Sequence, residues 1–172
     1  TLQAGGFLFS ATPQTEFLDV HKTDIVVDGA GSVLEIANSV AGGGQGSIVL
    51  HGKSDLTVSN GGKVQWAADN GCTSVGGECS VIVGRQSSDG PSNSGILITG
   101  AGSEFDASNT GGRFLIGATV DDLGEDPNQD GDFIAVMDGG VLRTNEADIA
   151  YGTLTPGPET SRALALIDGG TW

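Results

Sequence analysis

Five stretches of this chain are variations on one string: IVVDGAGSVL (25–34), LTVSNGGKV (56–64), ILITGAGSEF (96–105), IAVMDGGVL (134–142) and LALIDGGTW (164–172). Each reads apolar–x–apolar, then a glycine-containing turn, then another apolar residue. The residue before the turn is Val27, Val58, Ile98, Val136 or Leu166. The residue after it is Leu34, Val64, Phe105, Leu142 or Trp172, at separations of 7, 6, 7, 6 and 6. Two turn chemistries, G-A-G-S and N/D-G-G, account for the difference of one residue. A second module alternates with the first: GGFLFSAT (5–12), GSIVLHG (46–52), CSVIVGR (79–85), GGRFLIGAT (111–119) and ADIAYG (147–152). From Val27 the first module recurs after 31, 40, 38 and 30 residues, a basic period of thirty with extra residues in two repeats.

A fixed period of this length is the mark of stacked repeats. Each module is a short run of β-branched and aliphatic residues. No such strand is stable alone, because its backbone polar groups stay unpaired. One winding per period places equivalent strands about 4.8 Å apart, so the hydrogen bonds run between windings and the apolar positions stack into internal columns. Glycine serves the corners, where φ is positive. After the turn the sidedness alternates: Leu34, Val64, Phe105 and Leu142 point in, Glu35, Gln65, Asp106 and Arg143 out, Ile36, Trp66, Ala107 and Thr144 in. Helix is disfavoured, since no gly-free window carries the i, i+3, i+4, i+7 apolar spacing. An antiparallel sandwich would put hairpin turns every 8–12 residues and does not account for two alternating modules.

The expected fold is therefore all-β. It is a right-handed parallel β-helix (β-solenoid) of about five coils of about 30 residues with loop insertions. The chain reads as one domain over 1–172, a fragment of a longer protein, with residues 1–24 as the tail of an earlier coil. The expected insertions, at 37–46, 68–78, 86–94, 119–131 and 153–162, are polar and contain Gly or Pro. Insertions in repeat proteins project from the stack and often carry binding.

Thirty glycines without a G-X-Y period exclude collagen. The net charge of −15 sets the chain against nucleic acid and anionic membranes and favours divalent cations. No apolar run is long enough to span a bilayer, and the opening TLQAGG has no basic region of a signal peptide. Cys72 and Cys79, in GCTSVGGEC, have the spacing of a disulfide across a small hairpin. Such a bridge implies an oxidising compartment. Zinc lacks a second Cys/His pair at ligand spacing.

The strings LTVSNGGKV, ITGAGSEF, VIVG and FLIG resemble the passenger repeats of bacterial autotransporters and the related β-strand repeats of large bacterial surface proteins. The resemblance covers about 25–172 and is specific for architecture rather than activity. It implies a right-handed parallel β-helix exposed on the bacterial cell surface or secreted. It also implies adhesion, self-association or display of a loop toward host or neighbouring-cell glycans or proteins. It carries no catalytic residues over.

Two features fall outside the repeat: the cysteine pair and the acidic run VDDLGEDPNQDGD (120–132). Asp126, Asn128, Asp130 and Asp132 place oxygen ligands at alternate positions with Gly131 after the third, as in the first half of a calcium loop. Asp121, Asp122 and Glu125 extend the set. The twelfth position is Met137 where an EF-hand has a bidentate glutamate, so the expectation is a Ca²⁺ loop of the DxNxDG kind, set against a solvated acidic loop. For catalysis the chain offers little. Its basic residues and two histidines, His21 and His51, are scattered over different modules, which suits no lyase. Glu35 and Asp106, two rises apart with Gln65 between them, fit a glycosidase pair only in separation. His51 reads as a turn residue, Trp66 and Tyr151 as packing residues, and Trp172 as the end of a core column.

Overall fold

The computed structural model describes residues 2–3, 7–9, 17–36, 47–67, 79–84, 93–109, 111–117, 130–149 and 162–172. These form three parallel sheets and, among the described residues, no helix. Sheet A contains β1 (Leu2–Gln3), β4 (Ile25–Asp28), β7 (Asp55–Ser59), β10 (Gly95–Thr99), β13 (Asp130–Met137) and β16 (Arg162–Asp168). Sheet B contains β2 (Phe7–Phe9), β5 (Val33–Ile36), β8 (Lys63–Trp66), β11 (Glu104–Ala107) and β14 (Val141–Thr144). Sheet C contains β3 (Phe17–His21), β6 (Ser47–His51), β9 (Cys79–Val83), β12 (Gly111–Ile116) and β15 (Ala147–Ile149). The chain visits A, B and C in turn, and each strand pairs in parallel with the third strand before it and the third after it.

Register stacks like on like. In sheet A, Val27, Val58, Ile98 and Val136 lie opposite one another and are fully buried. In sheet B, Leu34, Val64, Phe105 and Leu142 form the equivalent column, and in sheet C, Leu50, Val83 and Ile116 do so. The three columns meet in one core. Phe105 of sheet B packs edge-on against Phe114 of sheet C, and Trp66 tilts onto Phe105, with ring centroids 5.8 Å apart in both pairs.

The turn from sheet A to sheet B sets the spacing. Its last residue is Ser32, Gly62, Ser103 or Gly140 in successive layers. The longer G-A-G-S turn closes with Ser32 N–H on Gly29 O at 3.0 Å, the shorter N-G-G turn with Gly62 N–H on Ser59 O at 2.9 Å. Layers are tied by Lys63 N–H to Ser32 O at 2.9 Å and Glu104 N–H to Gly62 O at 3.0 Å. In the longer turn the serine is buried and its hydroxyl bonds the backbone: Ser103 Oγ donates to Thr99 O at 2.7 Å and accepts from Gly61 N–H at 3.0 Å. In the shorter turn no side chain fits. A Cβ on Gly62 would lie 2.2 Å from Val27 O, and one on Gly140 2.7 Å from Ile98 O.

Three expectations change. Phe7–Phe9, grouped with 111–119 by its nearly identical string, belongs to sheet B: Leu8 lies opposite Leu34, whereas 111–116 is in sheet C. The sheet C strand of that layer is Phe17–His21, so the described strands of 1–24 supply one strand to every sheet. Sheet position follows pairing to the next layer, and an apolar string of three serves either sheet. In the last repeat the residue in register with Val136 is Ile167 rather than Leu166, which lies opposite Ala135, and both are exposed. A one-residue slip moves every side chain to the other face, and the apolar run ALALI accepts either register. Segments 37–46 and 68–78 join sheet B to C; 85–92, 118–129 and 150–161 join C to A. No helix among the described residues is long and apolar enough to cross a membrane.

Gly62→Ala is expected to lower stability by about 1–3 kcal/mol, the range for forcing extra methyl groups into a packed site. Urea unfolding measures it, and a loss below about 0.5 kcal/mol would deny the Gly62–Val27 contact, being no more than an ordinary surface substitution gives.

Candidate functional site

The corner from sheet C to sheet A gathers the polar residues of the stack. Lys22, Lys53, Asn93 and Gly131 hold equivalent places there, all with positive φ, at 51°, 69°, 44° and 112°. The next residues are Thr23, Ser54, Ser94 and Asp132. They form a ladder between layers: Thr23 N–H donates to Ser54 Oγ at 3.2 Å, Ser54 N–H to Ser94 Oγ at 3.1 Å, and Ser94 N–H to Asp132 Oδ1 at 2.8 Å. Ser54, Ser94 and Asp132 are buried, and each satisfies a backbone donor that no strand pairs. The Asp132 carboxylate fits only because Gly84 has no side chain: a Cβ there would lie 1.9 Å from Oδ2.

Of the expected calcium ligands, Asp121, Asp122, Asp126 and Asn128 lie outside the described residues, as does Glu125. Asp130 is described by its backbone, as the first residue of β13. Asp132 turns inward, with Oδ1 committed to Ser94 N–H. Among the described residues no group of three or more His, Cys, Asp or Glu is placed to hold a metal ion. Cys79 opens β9 fully buried, while Cys72 and Tyr151 lie outside the described residues. Trp66 is in the core as expected, and Trp172 continues the Leu142 column, its indole N–H donating to Thr144 Oγ1 at 3.1 Å.

The outer face of sheet B holds Glu35, Gln65, Asp106 and Arg143 in one column, as the alternation predicts. Glu35 and Asp106 are engaged separately. Gln65 Nε2 donates to Glu35 Oε2 at 2.9 Å, and Asp106 Oδ1 accepts from the N–H and hydroxyl of Ser108 at 2.9 and 2.6 Å. Glu104, in the neighbouring column, links three layers: it meets Arg143 Nε, from the first column, at 2.7 Å and Lys63 Nζ, its own column partner, at 3.2 Å. The Arg143 hydrogen bond holds Glu104 below the usual glutamate range against a partial burial that opposes it, and Lys63 adds to the lowering. At the sheet A margin, Ser59 Oγ and Asn60 Nδ2 donate to Asp28 Oδ1 at 2.6 and 2.7 Å, which holds Asp28 low.

Two pairs were not anticipated. The rings of His21 and His51 stack in register, 4.6 Å apart and 10° from parallel, so His51 is more than an isolated turn residue. His21 fills the space that a side chain at Gly52 would need. Asp24 and Asp55 are likewise equivalent in successive layers. The signal was present as HKTD (21–24) and HGKSD (51–55), one string with a glycine inserted. No family model, curated protein or solved structure matches this chain.

A carboxylate held low in the folded state stabilises above its ordinary pKa, and that contribution is lost as pH falls through the folded value. Glu104→Gln is therefore expected to cost about 0.5–1 kcal/mol near neutral pH, the range for an exposed pair, and less in high salt. Thermal unfolding of the two proteins should converge well below the ordinary value of 4.5. A gap that persists in acid would mean the residue acts through packing.

Proposed function

We propose that this chain is a stretch of right-handed parallel β-helix that serves as an extracellular structural scaffold or adhesin segment of a bacterial surface or secreted protein. The observation that carries this is the cyclic strand order, A, B, C repeated, with every pairing parallel and three strands apart. One winding per three strands accounts for it, and the right hand follows the general rule for parallel crossovers. The likeness of its repeat strings to autotransporter passengers supports the surface location. The stack then acts as a rigid rod, and binding belongs to the insertions. Three of them, 85–92, 118–129 and 150–161, connect sheet C to sheet A in successive layers. The partner is a host or neighbouring-cell glycan or protein, or a further copy of the chain.

Within this reading the acidic insertion takes Ca²⁺ through Asp121, Asp122, Asp126, Asn128 and Asp130, with Asp132 as the inward anchor of the loop. Cys72 and Cys79 form a disulfide that closes the 68–78 insertion, as an oxidising compartment permits.

Protease shaving of intact producing cells tests the location: peptides from 85–92, 118–129 and 150–161 should be released while the cells stay whole. Their recovery only after lysis would remove the surface reading. For the cation, calorimetric titration of chelator-treated protein should give Ca²⁺ binding at the submillimolar to millimolar level of extracellular modules, with a rise in Tm. An absence of heat and of any Tm change would exclude it, and two free thiols in the unfolded protein would exclude the bridge.

A further inference from the structure

The corner between sheets C and A stacks two carboxylates, and their surroundings suit one charge better than two. Asp24 and Asp55 are opposite each other in layers about 4.8 Å apart. Asp55 N–H donates to Asp24 Oδ1 at 3.3 Å, which turns the Asp24 carboxylate toward its neighbour. Asp55 Oδ1 is buried and makes no hydrogen bond. On the far side Asp55 is paired with Gly95, and the ring of Phe133 from the following layer fills the space over that glycine, 2.1 Å from where a Cβ would stand. Asp55 thus lies between a second carboxylate on one side and Gly95, with the Phe133 ring over it, on the other.

We propose that Asp24 and Asp55 come to hold one proton between them as the pH falls, carried on Asp55 Oδ1 and donated to the Asp24 carboxylate, and that this proton fastens the corner. A proton from solvent bonds to Asp55 Oδ1, no bond in the protein breaks, and the charge of the pair falls from two to one. The buried oxygen becomes a donor and the repulsion between layers disappears. Burial and the charge of Asp24 both push the Asp55 carboxyl above the ordinary aspartate range, and the Gly95 backbone N–H opposes them. Among the described residues, the strands next in register to Asp55 contribute Gly95 from β10 and Phe133 from β13. Among the described residues, the other charged and titratable groups along the same corner are Lys22 and Lys53, both exposed, His21 and His51 preceding them, and the buried Asp132, whose Oδ1 accepts from Ser94 N–H. A carboxyl whose folded pKa is raised contributes stability that is fully present below its unfolded value and is lost as pH rises through the folded one. This corner therefore strengthens in acid, opposite in sign to Glu104. The inference does not depend on the scaffold reading.

Carbon-detected NMR titration of the side-chain carboxyls in the whole chain tests it, with Asp24→Asn and Asp55→Asn beside the wild type. Asp55 should titrate above 3.8 in the wild type. In Asp24→Asn its midpoint should fall by about 0.5 pH or more, about threefold in proton affinity. Asp55→Asn should melt higher than the wild type near neutral pH, with the gain vanishing in acid. An Asp55 midpoint at or below 3.8, or one unmoved in Asp24→Asn, overturns the proposal. Should Asp24→Asn fail to fold, a melting difference between Asp55→Asn and wild type that does not change with pH overturns it instead.

Discussion

The close approach of one layer's backbone to the next at the turn between sheets A and B is the constraint from which the other contacts follow. At Gly62, Gly140 and Gly170 the chain lies against carbonyl oxygens of Val27, Ile98 and Val136, with no room for a Cβ. The approach limits the separation of the layers at this turn. Strand pairs on either side of the turn, Asp28 with Ser59 and Val33 with Lys63, then fall into register without further choice. The turn has two forms, one that bonds through a serine hydroxyl and one that has only backbone, and the two differ by one residue without shifting either strand. The sheet A and sheet B strands of a layer are therefore joined by only three or four residues, whereas the connections to and from the sheet C strand vary in length.

Much of this was legible because alternation with a period of two leaves a half-buried strand little freedom. Leu34 in, Glu35 out and Ile36 in could be read from the string, and so could their equivalents at Val64–Trp66 and Phe105–Ala107. The parts that were not legible share a cause. Phe7–Phe9 and the run Ala163–Ile167 are apolar at nearly every position, so the string does not say which side chain faces in or which sheet receives the strand. Only the hydrogen bonds to β5 and β13 decide. Phe17–His21 was missed because FLDVH lacks the glycine that marks the other sheet C strands. Of the site, Asp132 was legible as an acidic residue after a glycine, but not as the fourth member of a ladder whose other members are Thr23, Ser54 and Ser94. The equivalence of a threonine, two serines and an aspartate is one of hydrogen-bond function, and residue type alone hides it.

That ladder accounts for where length can vary. Strand starts at the C-to-A corner need an acceptor for a backbone N–H that faces along the stack, and the side chain of the following layer supplies it. The acceptor does not come from the connection that precedes the strand, so the connection can be lengthened without exposing the donor. The A-to-B turn offers no such freedom, because its donors and acceptors are the turn residues themselves. Insertions accordingly appear at two corners and never at the third.

Stacking equivalent residues about 4.8 Å apart also makes charge placement a problem that each outer column must solve. With 22 acidic residues against 7 basic ones, carboxylates cannot all be paired with cations. The described strand columns instead separate them: Glu35 is followed by Gln65, Asp106 by Arg143, Lys63 by Glu104 and Asp28 by Ser59. Amides, hydroxyls and the few cations are spent as spacers, which also explains why the basic residues are scattered rather than clustered. Against that pattern the direct stacking of Asp24 on Asp55 is an exception, placed at the corner with a buried oxygen that lacks a donor. A column that elsewhere inserts a neutral residue between two acids is here left to make one of the acids neutral, and the only reagent that does so is a proton.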